Sequence, residues 1–271
     1  MSTETDPRSV FVVGCPRSGT SVFFQTFSRH PDFAFTTNLT RRFRGHFGLV
    51  KLAENLGGKH RPVEAGPIWK SIWPSGVRER TEADVTDEHR RRLDRLVRGH
   101  LEHFDRPVFL AKRPGLALRV RWLAEAVPGS KIIHVLRDGR AVANSVLEQC
   151  KRADLRWSYI GREMWPELGE MDYASFSGAL WARITTTCDA ACRTLPDDRV
   201  MTVRYEDFIR EPDETLAAAA DFCGVRWGPE QAHLVPHLED RNNKWLKAMT
   251  PEEQALMLEQ VTPTLEAFGY A

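Results

Sequence analysis

The sequence predicts an α/β fold in three layers, α/β/α, around a central and mostly parallel sheet. Short apolar runs alternate with amphipathic stretches along the 271 residues, the pattern of successive βαβ units. One run ends in a glycine-rich turn, "VFVVGCPRSGTS" at 10–21, and passes straight into a helical pattern. Another, "KIIHVL" at 131–136, passes just as directly into "RDGRAVANS". A chain of this length buries a full core, so residues 1–271 are expected to form a single domain.

In chain order, 10–13 reads as a buried strand and 20–29 as a helix. That helix ends at His30-Pro31, because the residue before proline disfavours helical geometry. Residues 36–80 carry glycines, prolines, arginines and two tryptophans without clear periodicity, the mark of a long surface excursion, functional or mobile. A helix over 86–104 has Thr86 or Asp87 as its cap, with Leu93, Leu96, Val97, Leu101 and Phe104 on one face. Its arginines are interleaved with acids, so they read as a solvated face rather than a nucleic-acid patch, and His100 and His103 read as solvated too. A strand at 107–111, a helix at 116–127, a strand at 131–136 and a helix at 139–150 follow. Residues 151–172 form a second tryptophan-bearing excursion, before a helix at 173–194, a strand at 200–204 and a helix at 211–223. From Gly228 the tail reads as loop, then a helix at 251–260.

Thirty-eight basic residues stand against 37 acidic ones, a net charge of +1, so no global field points to nucleic acid or an anionic membrane. Any anion site must be local. No run approaches the roughly 18 apolar residues of a membrane span, and the opening "MSTETDPRS" has no apolar signal core; a cytoplasmic location is expected. The cysteines are Cys15, Cys150, Cys188, Cys192 and Cys223. Their odd number and spacing match neither a zinc ribbon nor a C-x-x-C pair, so reduced thiols are expected, with Cys188 and Cys192 packing on one helix face.

The glycine loop breaks one rule of its type. Gly14 and Gly19 have the G-x-x-x-x-G spacing, and Ser21 stands where nucleotide hydrolases keep a magnesium-binding hydroxyl. The expected lysine, however, is Thr20, and Arg17 sits inside the loop. A strand–loop–helix corner still presents backbone N–H groups and a positive helix end to an anion. Losing the lysine points to a ligand without a γ-phosphate and without metal, and the Arg17 fork suits a phosphate and a neighbouring oxyanion. Arg137 leaves the end of a second strand, with Ser145 eight residues on in the following helix. Strand carboxyl ends in open α/β sheets share one crevice, so these two groups are placed to clamp a second phosphate there. A nucleotide phosphorylated at both its 5′ and 3′ positions fits.

These motifs resemble those of the sulfotransferases that use 3′-phosphoadenosine 5′-phosphosulfate (PAPS). "PRSGTS" is similar to their 5′-phosphosulfate loop and "RDGRAVANS" to their 3′-phosphate motif. "AVPGSKII" leads into the second of these, and "VRYEDF", "NNKWLKAMTPEEQ" and the closing "LEAFGY" follow it, in family order over nearly the whole chain. The arginine-containing loop is closest to tyrosylprotein-like and many bacterial members. The resemblance implies a P-loop-NTPase-like fold and sulfuryl transfer from PAPS to a hydroxyl or amine of a small metabolite, carbohydrate or lipid. PAP would be the product, and no metal would take part. By the same resemblance Arg17, Ser18, Gly19, Thr20 and Ser21 would hold the 5′-phosphosulfate. Arg137 and Ser145 would hold the 3′-phosphate, helped by Tyr205 and Lys244 with Trp245 nearby, and 228–271 would cover the nucleotide.

For the chemistry, Arg17 and Lys112 (in "LAKRPG") are the expected stabilisers of the leaving group. The glutamate that tyrosylprotein-type members carry just after the first helix has no counterpart, since "FAFTTNLTRR" contains no acid. Glu64, in the apolar-flanked "RPVEAGPIW", is the expected general base in its place, with His46 and His60 as further candidates. Trp69, Trp73, Trp157 and Trp165 would offer flat surfaces to an acceptor. The competing readings are a P-loop kinase or nucleotide hydrolase, and a catalytically silent nucleotide-binding protein.

Overall fold

In the computed structural model, residues 8–73, 79–160, 164–235 and 237–270 are described. The first half of the chain runs β1 (Arg8–Val13), α1 (Thr20–Phe27), β2 (Phe33–Phe35), α2 (Asn38–Arg42), α3 (Phe47–Asn55), α4 (Gly66–Ile72), α5 (Asp87–Phe104), β3 (Val108–Lys112) and α6 (Val120–Ala126). The second half runs β4 (Lys131–Leu136), α7 (Gly139–Arg152), α8 (Arg156–Ile160), α9 (Pro166–Gly169), α10 (Tyr173–Cys192), β5 (Val200–Arg204), α11 (Tyr205–Arg210), α12 (Pro212–Cys223), α13 (Trp245–Ala248) and α14 (Pro251–Ala267).

The five strands pair in parallel in the order β2-β3-β1-β4-β5. Strands β1 and β3 are almost continuously apolar because helices cover both faces. Phe11 and Val13 of β1 face a layer containing α5, α6, α7, α10 and α14. Val10 and Val12 face α1, α11 and α12, where Phe23, Phe27 and Phe208 pack ring against ring. The expected three-layer fold is the observed one.

Differences from the sequence reading fall in the irregular stretches. Residues 36–80 contain α2, α3 and α4, each nine residues or fewer and too short to print a period. Strand β2 is three residues long and was not expected. The 116–127 helix is instead a 3-10 turn over Pro114–Leu118 followed by α6, and α14 runs on through Pro263 to Ala267. Trp69 and Trp73 are buried and stacked, with centroids 5.0 Å apart, and Trp165 is also buried. These three are core residues rather than acceptor platforms; the Trp157 side chain lies outside the described residues.

His100 is a further correction. It is fully buried, because its spacing from Leu93, Leu96 and Val97 puts it on the inner face of α5. Its Nδ1 lies 2.7 Å from the Leu96 carbonyl, and burial pushes its pKa down to about 4. His103 is also largely covered, with a side chain only 10% exposed. All five cysteines are buried and unbridged. Among the described residues, no helix is long and apolar enough to cross a membrane.

Candidate functional site

The chain leaves β1 toward β2 and β3 on one side, and leaves β4 toward β5 on the other. The neighbouring ends of β1 and β4 are therefore the switch point at which open α/β sheets take ligands. Two glycines allow the β1 loop to sit there. Gly14 has φ 149°, and a Cβ on it would stand 2.5 Å from the Val135 carbonyl oxygen of β4. Gly19, at φ 86°, lies under the Tyr205 ring, where a Cβ would come within 2.2 Å of Cδ2. Between them the Ser18 N–H closes the turn on Cys15 O at 3.1 Å. Arg17 adopts φ 74°, a left-handed conformation that costs a non-glycine residue about 1–2 kcal/mol.

The β4 end meets this loop directly. Arg17 Nε donates to Ser145 Oγ at 2.9 Å, and Arg137 donates to the Arg17 carbonyl at 3.3 Å. Arg137 also donates through Nε to Asn242 Oδ1 at 2.9 Å and lies 4.3 Å over the Tyr205 ring. Behind it Glu206 accepts from the Asp138 backbone N–H, the Asn242 amide and the Tyr270 hydroxyl, at 2.9–3.0 Å. One half-buried carboxylate thus ties the tail to the turn that carries Arg137. Asp138 caps α7 and pairs with Arg140 at 2.7 Å.

A cavity of about 510 Å³ opens over these groups, lined by Arg17, Gly19, Thr20, Ser21, Arg137, Ser145, Tyr205 and Lys244. Two expected residues stand behind its wall. Ser18 is buried under the loop, and Trp245 is buried in the core with Arg140 stacked 5.8 Å from its ring. Sequence reasoning missed Asn144, Glu148, Glu239 and Arg241, which also line the cavity. Asn144 belongs to the quoted "RDGRAVANS" stretch, and its buried Oδ1 has no hydrogen-bond partner among the described residues. Glu148 neutralises Lys244 at 2.8 Å.

On the other side of β1, the end of β3 delivers Lys112. It is 2% exposed, donates to Ser21 Oγ at 2.8 Å and forms a short ion pair with Glu64. Burial pulls the Lys112 pKa down, and Glu64 pulls it back up. Glu64 is brought in by the segment before it. The Val63 N–H donates to Thr36 O at 3.0 Å, the Thr36 hydroxyl donates to Val63 O at 2.6 Å, and Thr37 bridges Pro62. The apolar setting expected for Glu64 is not found: its side chain is 47% exposed and held by an ammonium. Ser21 is shared, lining the cavity while accepting from Lys112, so the two halves of the crevice touch.

Comparison with known proteins bears on this geometry. The model of the sulfotransferase family matches residues 7–229. Protein-tyrosine sulfotransferase 1 of Danio rerio is 24% identical over 235 residues, covering 83% of this chain and 55% of that protein. Protein-tyrosine sulfotransferase of Drosophila melanogaster is 26% identical over 232 residues, covering 83% and 39%. The chain thus spans about half or less of the length of these curated relatives. Among solved structures, sulfotransferase STF9 from Mycobacterium avium superposes with a TM-score of 0.60 at 15% identity, over 98% of this chain and 78% of that one. The sulfotransferase domain from the curacin biosynthetic pathway superposes with 0.56 at 18% identity, over 94% and 97%. Those likenesses are of fold.

Proposed function

The chain belongs to the sulfotransferase family, and from that premise we propose that it moves a sulfuryl group from PAPS to an acceptor hydroxyl. The observation that carries this reading is the junction of Arg17 and Arg137, from neighbouring strand ends, over one cavity without a loop lysine. The donor set fits a nucleotide with two phosphate groups: two arginines, the Thr20 and Ser21 hydroxyls, and the first-turn N–H groups of α1, which have no intrahelical partner. The unpartnered Asn144 Oδ1 supplies an acceptor for a ligand hydroxyl or amine. A volume of about 510 Å³ lies within the roughly 300–1,000 Å³ usual for such ligands.

In this reading Arg137 and Ser145 hold the 3′-phosphate, with Tyr205 and Lys244 beside it, and the β1 loop holds the 5′-phosphosulfate. The acceptor oxygen bonds to sulfur as the bond from sulfur to the bridging phosphate oxygen breaks, and that electron pair leaves on PAP. Arg17 and Lys112 stabilise the charge growing there, and Glu64 accepts the acceptor's proton. The whole chain works as one domain, with the excursions at 36–80 and 151–172 on the acceptor side and 228–271 over the nucleotide.

The acceptor belongs to one of two groups: a small metabolite, carbohydrate or lipid, or a protein tyrosine, which the names of the curated relatives bring forward. The test is transfer of label from ³⁵S-PAPS to a panel holding a tyrosyl peptide and small hydroxylated compounds, with metal chelated. Labelled product from one member is expected. Magnesium-dependent phosphate release from ATP, with no sulfuryl transfer, would establish the kinase or hydrolase reading instead.

A further inference from the structure

Away from the crevice, three ligating side chains from three segments converge. Glu54 lies in the last turn of α3, His60 in the loop after it, and His103 in the last turn of α5. Both imidazoles aim Nε2 at the same atom, Glu54 Oε1, His60 in a short contact and His103 at 2.9 Å. All three ligand atoms lie within 4.8 Å of one another. On its far side His60 Nδ1 is 3.0 Å from the Thr37 hydroxyl, and Thr37 is buried and fixed by reciprocal bonds with Thr40. This is the outer support that orients metal-binding imidazoles. Phe104 packs edge-on against both rings at 4.9 Å, while the three side chains stay 10–29% exposed, so water reaches the cluster.

We propose that Glu54, His60 and His103 form a binding site for a divalent first-row transition metal, with zinc the best match. Two imidazole nitrogens and one carboxylate oxygen make three protein ligands and leave a position for water. Calcium and magnesium prefer oxygen sets and fit poorly. On binding, each imidazole gives its Nε2 lone pair to the ion and carries its proton on Nδ1, which for His60 then donates to Thr37 Oγ1. The ion clips α3 to α5. That helix needs a clip, since only Val50 of it is buried while Leu49, Leu52 and the adjoining Leu56 are 48%, 55% and 81% exposed. The clipped segment continues through Pro62 and Val63 to Glu64, so the site also braces one wall of the crevice.

The test is a Co²⁺ titration of chelator-stripped protein followed by visible absorption, with Zn²⁺ competition and thermal unfolding with and without Zn²⁺. One saturable equivalent displaced by Zn²⁺ is expected, together with a higher Tm when zinc is present. His103→Gln should weaken Co²⁺ binding by at least about 100-fold and abolish the Zn²⁺ effect on Tm, while exposed His233→Ala changes neither. His60→Ala should behave like His103→Gln, which guards against a folding defect in one variant. No saturable absorption in the wild type, or equal affinity in wild type and both site variants, would overturn the proposal.

Discussion

Lys112 is almost completely enclosed, yet its ammonium keeps two oxygen partners, Ser21 and Glu64. A charge so deeply placed is tolerated only when paired, and removing one partner leaves the other exposed to the full cost. If Glu64 is the base, Glu64→Gln lowers turnover by about 100-fold, within the roughly 10²–10⁴ span of acid–base catalysis, while calorimetric PAP affinity stays near the wild-type value. A near-normal rate would take Glu64 out of the reaction. Lys112→Met should lower kcat likewise, without raising KM for the donor in proportion, because it acts on charge that grows only in the transition state. A matching rise in KM with kcat intact would assign Lys112 to ground-state binding. Arg17, Ser21, Arg137 and Ser145 were legible in the sequence because each lies within a motif of fixed spacing. Glu206 and Asn242 also lie in quoted stretches, "VRYEDF" and "NNKWLKAMTPEEQ", but their roles were not legible, since they act through contacts with residues tens of positions away.

The β1 loop depends on two glycines for different reasons: one meets a backbone carbonyl and the other an aromatic ring. Gly19→Ala adds left-handed strain of about 1–2 kcal/mol and drives a methyl into Tyr205, which also supports Arg137. Urea unfolding should show a loss of about 2 kcal/mol or more, with weaker nucleotide binding. Full stability and affinity would mean that the ring shifts freely and does not order the loop. Elements read best where apolar runs are long and bounded: Lys131–Leu136 and Val200–Arg204 are strands at their expected limits. Strand β2 and helices α2 to α4 escaped because three to nine residues hold at most two and a half turns of pattern. His100 was misread for a different reason: a polar side chain on an apolar face is solvated or buried according to what packs over it, here Phe47 at 5.0 Å and Phe109 at 5.1 Å.

The whole molecule keeps two buried histidines neutral. His134 on β4 lies between the sheet and Cys188 and Cys192 of α10, and burial pushes its pKa, like that of His100, down to about 4. A folded pKa below the unfolded value of about 6.5 means that the unfolded chain binds more protons between those limits. Stability is therefore full above about pH 6.5 and falls toward pH 4, by about 3 kcal/mol per histidine. Urea unfolding at pH 7 and pH 4.5 should show that loss, and His134→Leu should reduce it; an unchanged slope would place the acid sensitivity elsewhere. At this scale the layers and parallel pairing were legible, because alternating strand and helix patterns admit few topologies. The order in the sheet was not written in any single segment, yet it is what sets the β1 and β4 ends side by side. The proposed function requires one crevice to recognise phosphates on both sides of a ribose. Titration calorimetry with PAP and with adenosine 5′-monophosphate, on wild type and Arg137→Ala, tests it most directly. The wild type is expected to prefer PAP, and the variant to lose about 10- to 100-fold for PAP, the worth of charge-assisted hydrogen bonds, with little change for the monophosphate. Equal losses for both ligands, or a wild type that does not distinguish them, would contradict it.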